Sequence, residues 1–366
     1  MRKPPRPLCP GDIVVGHSGH LGEWTAAQVT ALDERQRLAA VLELTWSGPE
    51  PDSLADLGEL VPLRLGHHSW QGEPQHCWHT WVLPKGHRVL GNVPPLVTEP
   101  SRSYSGMWTL GLRLDGQRQW DAGNRGERVS RVPSARYAAP ELPTARDEAL
   151  RELSLTVPAE LDCAVLAELL PGLTSLTVHG ELATLVNAGA LGRLTGLRTL
   201  CLYDVFGMTG ADVPSPADLP HLAWLTVDGV PAEYASALRK LWKPEDVNGT
   251  YLSVRGARSP DWVAENRDNP LRSWDGNVKP VAYRKAFAQY KTTRRAVQEA
   301  LAAGAGPERL TELGAEFAEA FNGMDARWNF VETVEREDLL EAVHAMTDLD
   351  WARQALAEGL DSARDW

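Results

Sequence analysis

At 366 residues, with 43% hydrophobic and 23% charged content, the chain is long enough for two or three domains with buried cores, and its composition excludes a disordered polypeptide. The net charge of −12 is carried after residue 145: residues 1–145 hold 15 Lys/Arg and 15 Asp/Glu, and the remainder holds 22 and 34. Because nucleic-acid affinity depends on neutralising phosphates, this imbalance argues against a general nucleic-acid surface in the second part.

No apolar run of signal-peptide length follows the basic start, and no apolar span of about 20 residues occurs. The cysteines are scattered and form no Cys-x-x-Cys pair, which argues against a disulfide framework. They are Cys9, Cys77, Cys163 and Cys201. We therefore expect a cytoplasmic protein without a cofactor or a membrane partner.

Residues 1–66 are predicted to form a small β-barrel of the SH3-like or Tudor-like kind. The β-prone runs 24–32 and 38–46 flank the polar turn 33–36, a pattern typical of a hairpin. Such barrels often present an aromatic-lined pocket, to which Trp24 and Trp46 could contribute. Packing within the barrel is the competing explanation for both rings.

Residues 67–145 carry five tryptophans among many prolines and glycines and show little periodicity. We expect an irregular β-rich extension of the barrel, ending near 140–143. It contains a cluster of possible zinc ligands: His67, His68, His76, Cys77, His79 and His87. Imidazole and thiolate are the usual zinc ligands, but this spacing matches none of the common pairs, and interleaved tryptophans favour buried histidines instead.

Residues 146–256 contain one pattern four times, Leu-x-x-Leu-x-Leu or its valine variant. Its first leucines, Leu150, Leu173, Leu197 and Leu222, are 23, 24 and 25 residues apart. This spacing lies within the window of 20–29 residues typical of leucine-rich repeats. We expect each repeat to contribute a parallel strand with its three aliphatic side chains facing inward. A fifth strand is predicted at Leu252 and Val254.

Between these strands, helical spacing predicts short helices at 165–170, at 182–186 and at 234–241. The segment thus resembles the leucine-rich repeat superfamily, which implies a short solenoid with a concave binding face. It departs from the family in one respect. The asparagine common three residues after the third aliphatic is replaced, by Pro158, Glu181, Val205 and Val230.

Residues 257–366 are predicted to be a linker and a bundle of helices that caps the solenoid. Apolar residues recur at helical spacing in 281–303 and in 310–321, and two further helices start after Thr333 and near Asp350. The predicted fold class is therefore α+β and multidomain: a small barrel with its extension, a short solenoid and a helical cap.

The leading functional hypothesis is a non-catalytic module that binds a protein or peptide on the concave face. Outward-facing residues of the repeats include His179, Tyr203, Trp224 and Asp228, a composition expected of a binding hot spot. The competing explanation is that flanking domains cover this face. No nucleophile elbow, phosphate loop or His-Glu-x-x-His motif occurs, so no enzymatic activity is expected.

Two alternatives stay open. One is a peptide or nucleic-acid reader in the N-terminal barrel, based on Trp24, Trp46 and the balanced charge there. The other is a metal-dependent enzyme that uses His67, His76, Cys77 and His79.

Overall fold

The computed structural model describes residues 7–67, 70–126, 130–138, 142 and 144–366. The chain folds as two compact units, Met1–Ser259 and Pro260–Trp366. The finer boundaries predicted after residues 66, 145 and 256 stay predictions.

The first unit begins with a six-stranded mixed sheet, a separate two-stranded sheet and one helix. In chain order these elements are β1 (Asp12–Ser18), β2 (Glu23–Asp33), β3 (Leu38–Gly48), β4 (Arg64–Leu65), β5 (Glu73–Pro74), β6 (His76–Thr80), β7 (His87–Asn92), β8 (Ser103–Gly106) and α1 (Leu112–Asp121). The order across the sheet is β7-β1-β2-β3-β6-β8, and β4 pairs only with β5.

Strand alternation gives this sheet an apolar cluster on each face. Val14, Ala27 and Val29 belong to one cluster, and Ile13 and Val15 belong to the other. The predicted small barrel is wrong, because the described strands form an open path with β7 and β8 at its two edges. The hairpin of β2 and β3 was predicted, but the sequence interpretation ended the strands at residue 66. Strands β6, β7 and β8 come from the stretch predicted to be irregular, and they widen the sheet.

The second part of the first unit is a sheet of seven parallel strands. They are β9 (Ser134–Ala138), β10 (Glu152–Val157), β11 (Glu160–Asp162), β12 (Ser175–Val186), β13 (Thr199–Phe206), β14 (Trp224–Asp228) and β15 (Tyr251–Arg255). The order is β15-β14-β13-β12-β10-β9, with β11 also paired to β12. The four strands predicted from the repeats are confirmed, and so is the fifth, β15.

The inward-facing aliphatics of these strands form the largest core of the unit. Leu155, Val178, Leu202 and Val227 occupy matching register positions and are fully buried. The connections between strands differ in kind. They include the helices α2 (Cys163–Leu169) and α3 (Ala232–Trp242), and the short 3-10 helices Ala188–Arg193 and Gly210–Asp212.

The predicted solenoid is also wrong. The described repeats form part of one parallel sheet that also includes the unpredicted strands β9 and β11, and no repeating strand–helix unit links its strands. The helix predicted at 182–186 lies in β12 instead, where Leu185 pairs with Leu161 of β11. The apolar residues here have the spacing of a helix although they lie in a strand. A local irregularity interrupts the alternation of the strand, so its buried side chains recur at helix-like intervals. Leu182 has a φ of 62°, and the register between β12 and β13 shifts at this point.

The second unit is helical. Its helices are α4 (Pro260–Asn266), α5 (Pro280–Ala302), α6 (Pro307–Trp328), α7 (Thr333–His344) and α8 (Asp350–Ala363). Tyr290, Phe317, Phe321, Leu339 and Leu356 lie in its single apolar core. Over the described ranges, no helix combines the length and apolarity needed to span a bilayer.

Candidate functional site

The polar face of the parallel sheet carries three rows of side chains that run across its strands. Since the strands are parallel and in register, equivalent positions lie side by side. The amino-end row is Glu152, Ser175, Thr199, Trp224 and Tyr251. The middle row is Ser154, Thr177, Cys201, Thr226 and Ser253. The carboxyl-end row is Thr156, His179, Tyr203, Asp228 and Arg255.

The carboxyl-end row holds two side-chain pairs. The rings of His179 and Tyr203 stack, with centroids 4.8 Å apart and planes inclined by 11°. Arg255 Nε lies 3.5 Å from Asp228 Oδ2. His179 and Arg255 are exposed, and Tyr203 and Asp228 are half-buried. Such a mixture of rings and charges suits the surface of a complex better than a core.

Tyr203 stays neutral over a wide pH range. Burial raises the pKa of its phenol to about 12, and the neighbouring Cys201 thiol acts in the same direction. Burial likewise raises the pKa of the Cys201 thiol. The phenol of Tyr203 is therefore a hydrogen-bond donor at neutral pH, and Cys201 is a poor nucleophile because its thiolate is disfavoured.

The amino-end row borders a cleft between the two sheets of the first unit. Its volume is about 630 Å³, and Glu152, Ser175, Thr199, Trp224 and Tyr251 all line it. The opposite wall comes from the mixed sheet and from the segment 107–110 before α1. Trp224 and Tyr251 lie side by side in the cleft, with ring centroids 4.3 Å apart.

The four predicted binding residues thus separate into two groups. His179, Tyr203 and Asp228 lie in the carboxyl-end row, whereas Trp224 lies at the other end of the face, in the cleft. Comparison with known proteins gives no match: no family model, no curated protein and no solved structure matches the chain. The chemistry of the site itself therefore indicates what it binds.

The described lining of the cleft carries an excess of cations. Its basic residues are Lys85, Arg131, Arg151 and Arg198, and its acidic residue is Glu152. Arg131 Nη1 donates to the carbonyl of Leu21 at 3.3 Å. Arg151 Nη1 donates to the carbonyls of Glu148 and Gly172, at 2.5 and 3.2 Å. Carbonyl acceptors orient these guanidinium groups without cancelling their charge.

A loop of the mixed sheet, residues 81–86, contributes Val82, Pro84 and Lys85 to the lining of the cleft. Lys85 Nζ lies 3.4 Å from Glu245 Oε2 and 5.8 Å from the centre of the Trp242 ring. Its backbone N–H donates to the carbonyl of Gly249 at 3.1 Å. These contacts hold the loop against α3 and the 3-10 helix that follows it.

Two histidines of the mixed sheet, His79 and His87, are neutral at pH 7. Burial lowers the pKa of His79 to about 4, against the hydrogen bond of its Nδ1 with the carbonyl of Met107 at 2.8 Å. Burial also lowers the pKa of His87 to about 4, and the charge of Arg198 contributes. His87 rests on Gly16, where a Cβ would overlap the imidazole.

The candidate metal cluster does not converge. His76 and His79 lie three positions apart on β6 and so face opposite sides of the sheet. His76 Nε2 is 2.7 Å from Thr30 Oγ1, and His67 packs beside Trp120, with ring centroids 6.3 Å apart. His68 lies outside the described residues. Among those that are described, no three histidine, cysteine or acidic side chains are placed to share a metal ion.

Trp24 and Trp46, the residues of the alternative reader hypothesis, pack half-buried against the cluster of Ile13 and Val15. The Arg88 guanidinium lies over Trp24, 5.7 Å from the ring centre. Both rings therefore serve the packing of the mixed sheet, in agreement with the competing explanation.

The cleft was not predicted from the sequence, although two of its lining arginines recur at one position of the repeats. Arg151 and Arg198 occupy the first variable position of Leu-x-x-Leu-x-Leu, one residue before the amino-end row. Reading that position as a further column would place two arginines at one edge of the sheet. The other wall, including Lys85 and Trp108, depends on contacts between distant segments that the repeats do not encode.

Proposed function

We propose that the chain is a non-catalytic cytoplasmic binding module that holds a protein or peptide partner against the carboxyl-end row of the parallel sheet. The observation that carries the proposal is the stacked pair of His179 and Tyr203 beside the pair of Asp228 and Arg255. Together they offer flat rings, a neutral phenol donor and both signs of charge across four adjacent strands.

Two arguments support this function. Stacked rings held on neighbouring strands are rigid, so a partner that covers them orders few side chains on binding. In addition, these side chains lie outside the described lining of the cleft, and His179 and Arg255 are exposed. The non-catalytic part of the proposal rests on the sequence, which carries none of the common catalytic motifs. The resemblance to leucine-rich repeats stays a prediction, and the proposal does not depend on it.

The test uses the full chain as bait in affinity purification from its source cells, with quantitative mass spectrometry. The double variant His179→Ala/Tyr203→Ala removes both rings of the stack. We expect it to reduce recovery of a specific partner at least about tenfold, because loss of a binding hot spot costs about 2 kcal/mol or more.

Tyr104→Ala is the matched control, since Tyr104 is a 68% exposed tyrosine on β8 of the other sheet. It should recover the same partner as the unmodified chain. Equal recovery with all three baits would show that the carboxyl-end row is not the binding surface.

A further inference from the structure

We propose that the cleft between the two sheets is a second, separate binding site, for a small organic anion with a flat ring. It lies at the amino end of the polar face, apart from the row assigned to a partner protein. Its volume of about 630 Å³ is that of a small-molecule site.

The charge of the cleft selects an anion. Four cationic side chains and one carboxylate occur among its described lining residues, in a chain whose net charge is −12. Lys85 is paired with Glu245, whereas Arg131 and Arg151 donate to backbone carbonyls, which leave their charge uncompensated. A carboxylate, phosphate or sulfonate would provide the missing countercharge.

Arg198 is the residue placed to meet such a group. It is exposed at the edge of the cleft, and within the described part of the chain its side chain has no hydrogen bond or ion pair. Its Nη1 lies beside Gly86 of the loop 81–86, 3.7 Å from the position that a Cβ would occupy there. The neighbouring His87 adds no charge of its own at neutral pH, because burial lowers its pKa to about 4.

The rings of the cleft select a flat ligand. Trp224 and Tyr251 form one wall, inclined by 30° to each other, and the largely buried Trp108 also lines the cleft. Hydroxyl groups of Ser175 and Thr199 lie in the same row as Trp224. Aromatic walls with a few polar groups and a guanidinium are typical of sites for ring-bearing anions.

The probe for this class is 1-anilinonaphthalene-8-sulfonate, an anion with a flat naphthalene ring that fluoresces on binding. Its neutral partner is N-phenyl-1-naphthylamine, which lacks the sulfonate. Both are titrated into the folded full chain, into Arg198→Gln and into Trp224→Leu. Arg193→Gln is the matched control, because Arg193 is also exposed but lies outside the described cleft lining. Circular dichroism verifies that each variant is folded.

We expect saturable binding of the sulfonate to one site. Arg198→Gln should weaken binding of the sulfonate about tenfold, since the charged contact is lost. The affinity for the neutral probe should change by less than about twofold. Trp224→Leu should weaken the binding of both probes, and Arg193→Gln should change the binding of neither. An absence of saturable binding to the unmodified chain overturns the proposal. So does an Arg198→Gln variant that binds the sulfonate like Arg193→Gln, or one that loses both probes equally.

Discussion

Glu43 is a carboxyl group enclosed within the mixed sheet, only 3% exposed. Its Oε2 accepts a hydrogen bond from the backbone N–H of Gly111 at 3.1 Å, at the residue that precedes α1. Burial raises the pKa of Glu43 to about 7, against the effects of Gly111 and of the Arg113 charge, which both lower it. Glu43 therefore fixes the end of the segment 107–110, which lines the cleft, and does so at an electrostatic cost.

This cost makes the stability of the first unit depend on pH. The pKa of Glu43 is higher in the folded state than its ordinary value of 4.5. The folded state therefore binds this proton more tightly than the unfolded state does. The resulting stabilisation is fully present below pH 4.5 and is lost as the pH rises through about 7. A shift of this size corresponds to a loss on the order of 3 kcal/mol at about 1.4 kcal/mol per pH unit.

Glu43→Gln keeps an acceptor for Gly111 and cannot ionise. We expect its free energy of unfolding to exceed that of the unmodified chain at pH 8 by on the order of 1–3 kcal/mol, with little difference at pH 4. Urea unfolding at the two pH values measures this. Glu73→Gln, which removes an exposed carboxylate from β5, controls for the loss of one negative charge. A Glu43→Gln difference that is the same at both pH values would contradict the prediction.

Single residues were predictable where their position in a repeat decides their orientation. His179, Tyr203 and Asp228 share one row because strand alternation and register place them there. The sequence could not predict that His179 stacks on Tyr203, since that depends on side-chain rotamers. Nor could it predict the burial of Glu43, because a glutamate on a strand normally faces water.

Two glycines allow the helices α6 and α8 to pack closely. A Cβ on Gly314 would overlap the backbone carbonyl of Leu356, and a Cβ on Gly359 would overlap that of Thr311. Backbone atoms cannot move aside as a flexible side chain does. The two helices are therefore in contact at a distance that only glycine permits.

Gly314→Ala should lower the free energy of unfolding of the helical unit by about 1–3 kcal/mol, because overpacking outweighs the better helix propensity of alanine. Gly323→Ala provides a control in the same helix, since no atom lies within 4 Å of its Cβ position. That variant should be more stable by about 0.5–1 kcal/mol. Thermal unfolding followed by circular dichroism compares them, and two variants of equal stability would refute the packing argument.

Elements were predictable where one periodicity dominates. The helices α5, α6, α7 and α8 follow the apolar spacing of three and four residues, and the repeat strands follow the leucine pattern. The interpretation failed in β12, where the strand continues past the repeat motif to pair with β11. It also failed in β6, whose histidines and tryptophans suggested a metal site or an irregular segment.

At the scale of the first unit, Gly249, just before β15 of the parallel sheet, contacts the loop 81–86 of the mixed sheet. Its φ is +92°, its carbonyl accepts from Lys85 N–H, and a Cβ there would lie 2.7 Å from the carbonyl oxygen of Leu83. Residue 249 therefore has to be a glycine for two reasons. Its backbone has a positive φ, and the loop 81–86 approaches it too closely for a Cβ.

Gly249→Ala should destabilise the first unit and loosen this loop. Gly123 has a φ of +90° and no atom within 4 Å of its Cβ position, so Gly123→Ala measures the conformational cost alone. We expect Gly249→Ala to cost about 1–3 kcal/mol more than Gly123→Ala. Hydrogen exchange at the Lys85 amide should accelerate only in Gly249→Ala. Equal protection of this amide in both variants would contradict the proposed role of Gly249 in holding the loop 81–86.

The arrangement of the two sheets explains which parts of the architecture the sequence concealed. Periodicity within a segment predicts its own strands and helices, but closure of a barrel or continuation of a solenoid depends on how segments distant in the chain pair. Here β7 pairs with β1, and β8 pairs with β6, across long separations. The cleft arises from the same long-range packing.

The in-register rows of the parallel sheet restrict how the length of the chain can vary over evolution. An insertion of one residue within β13 would exchange its two faces, placing Cys201 and Tyr203 in the core and leucines on the polar face. Insertions in the connections carry no such penalty, and the leucine spacing of 23, 24 and 25 residues already varies there. We therefore expect insertions and deletions among descendants of this gene to fall between the strands, while the strands keep their length.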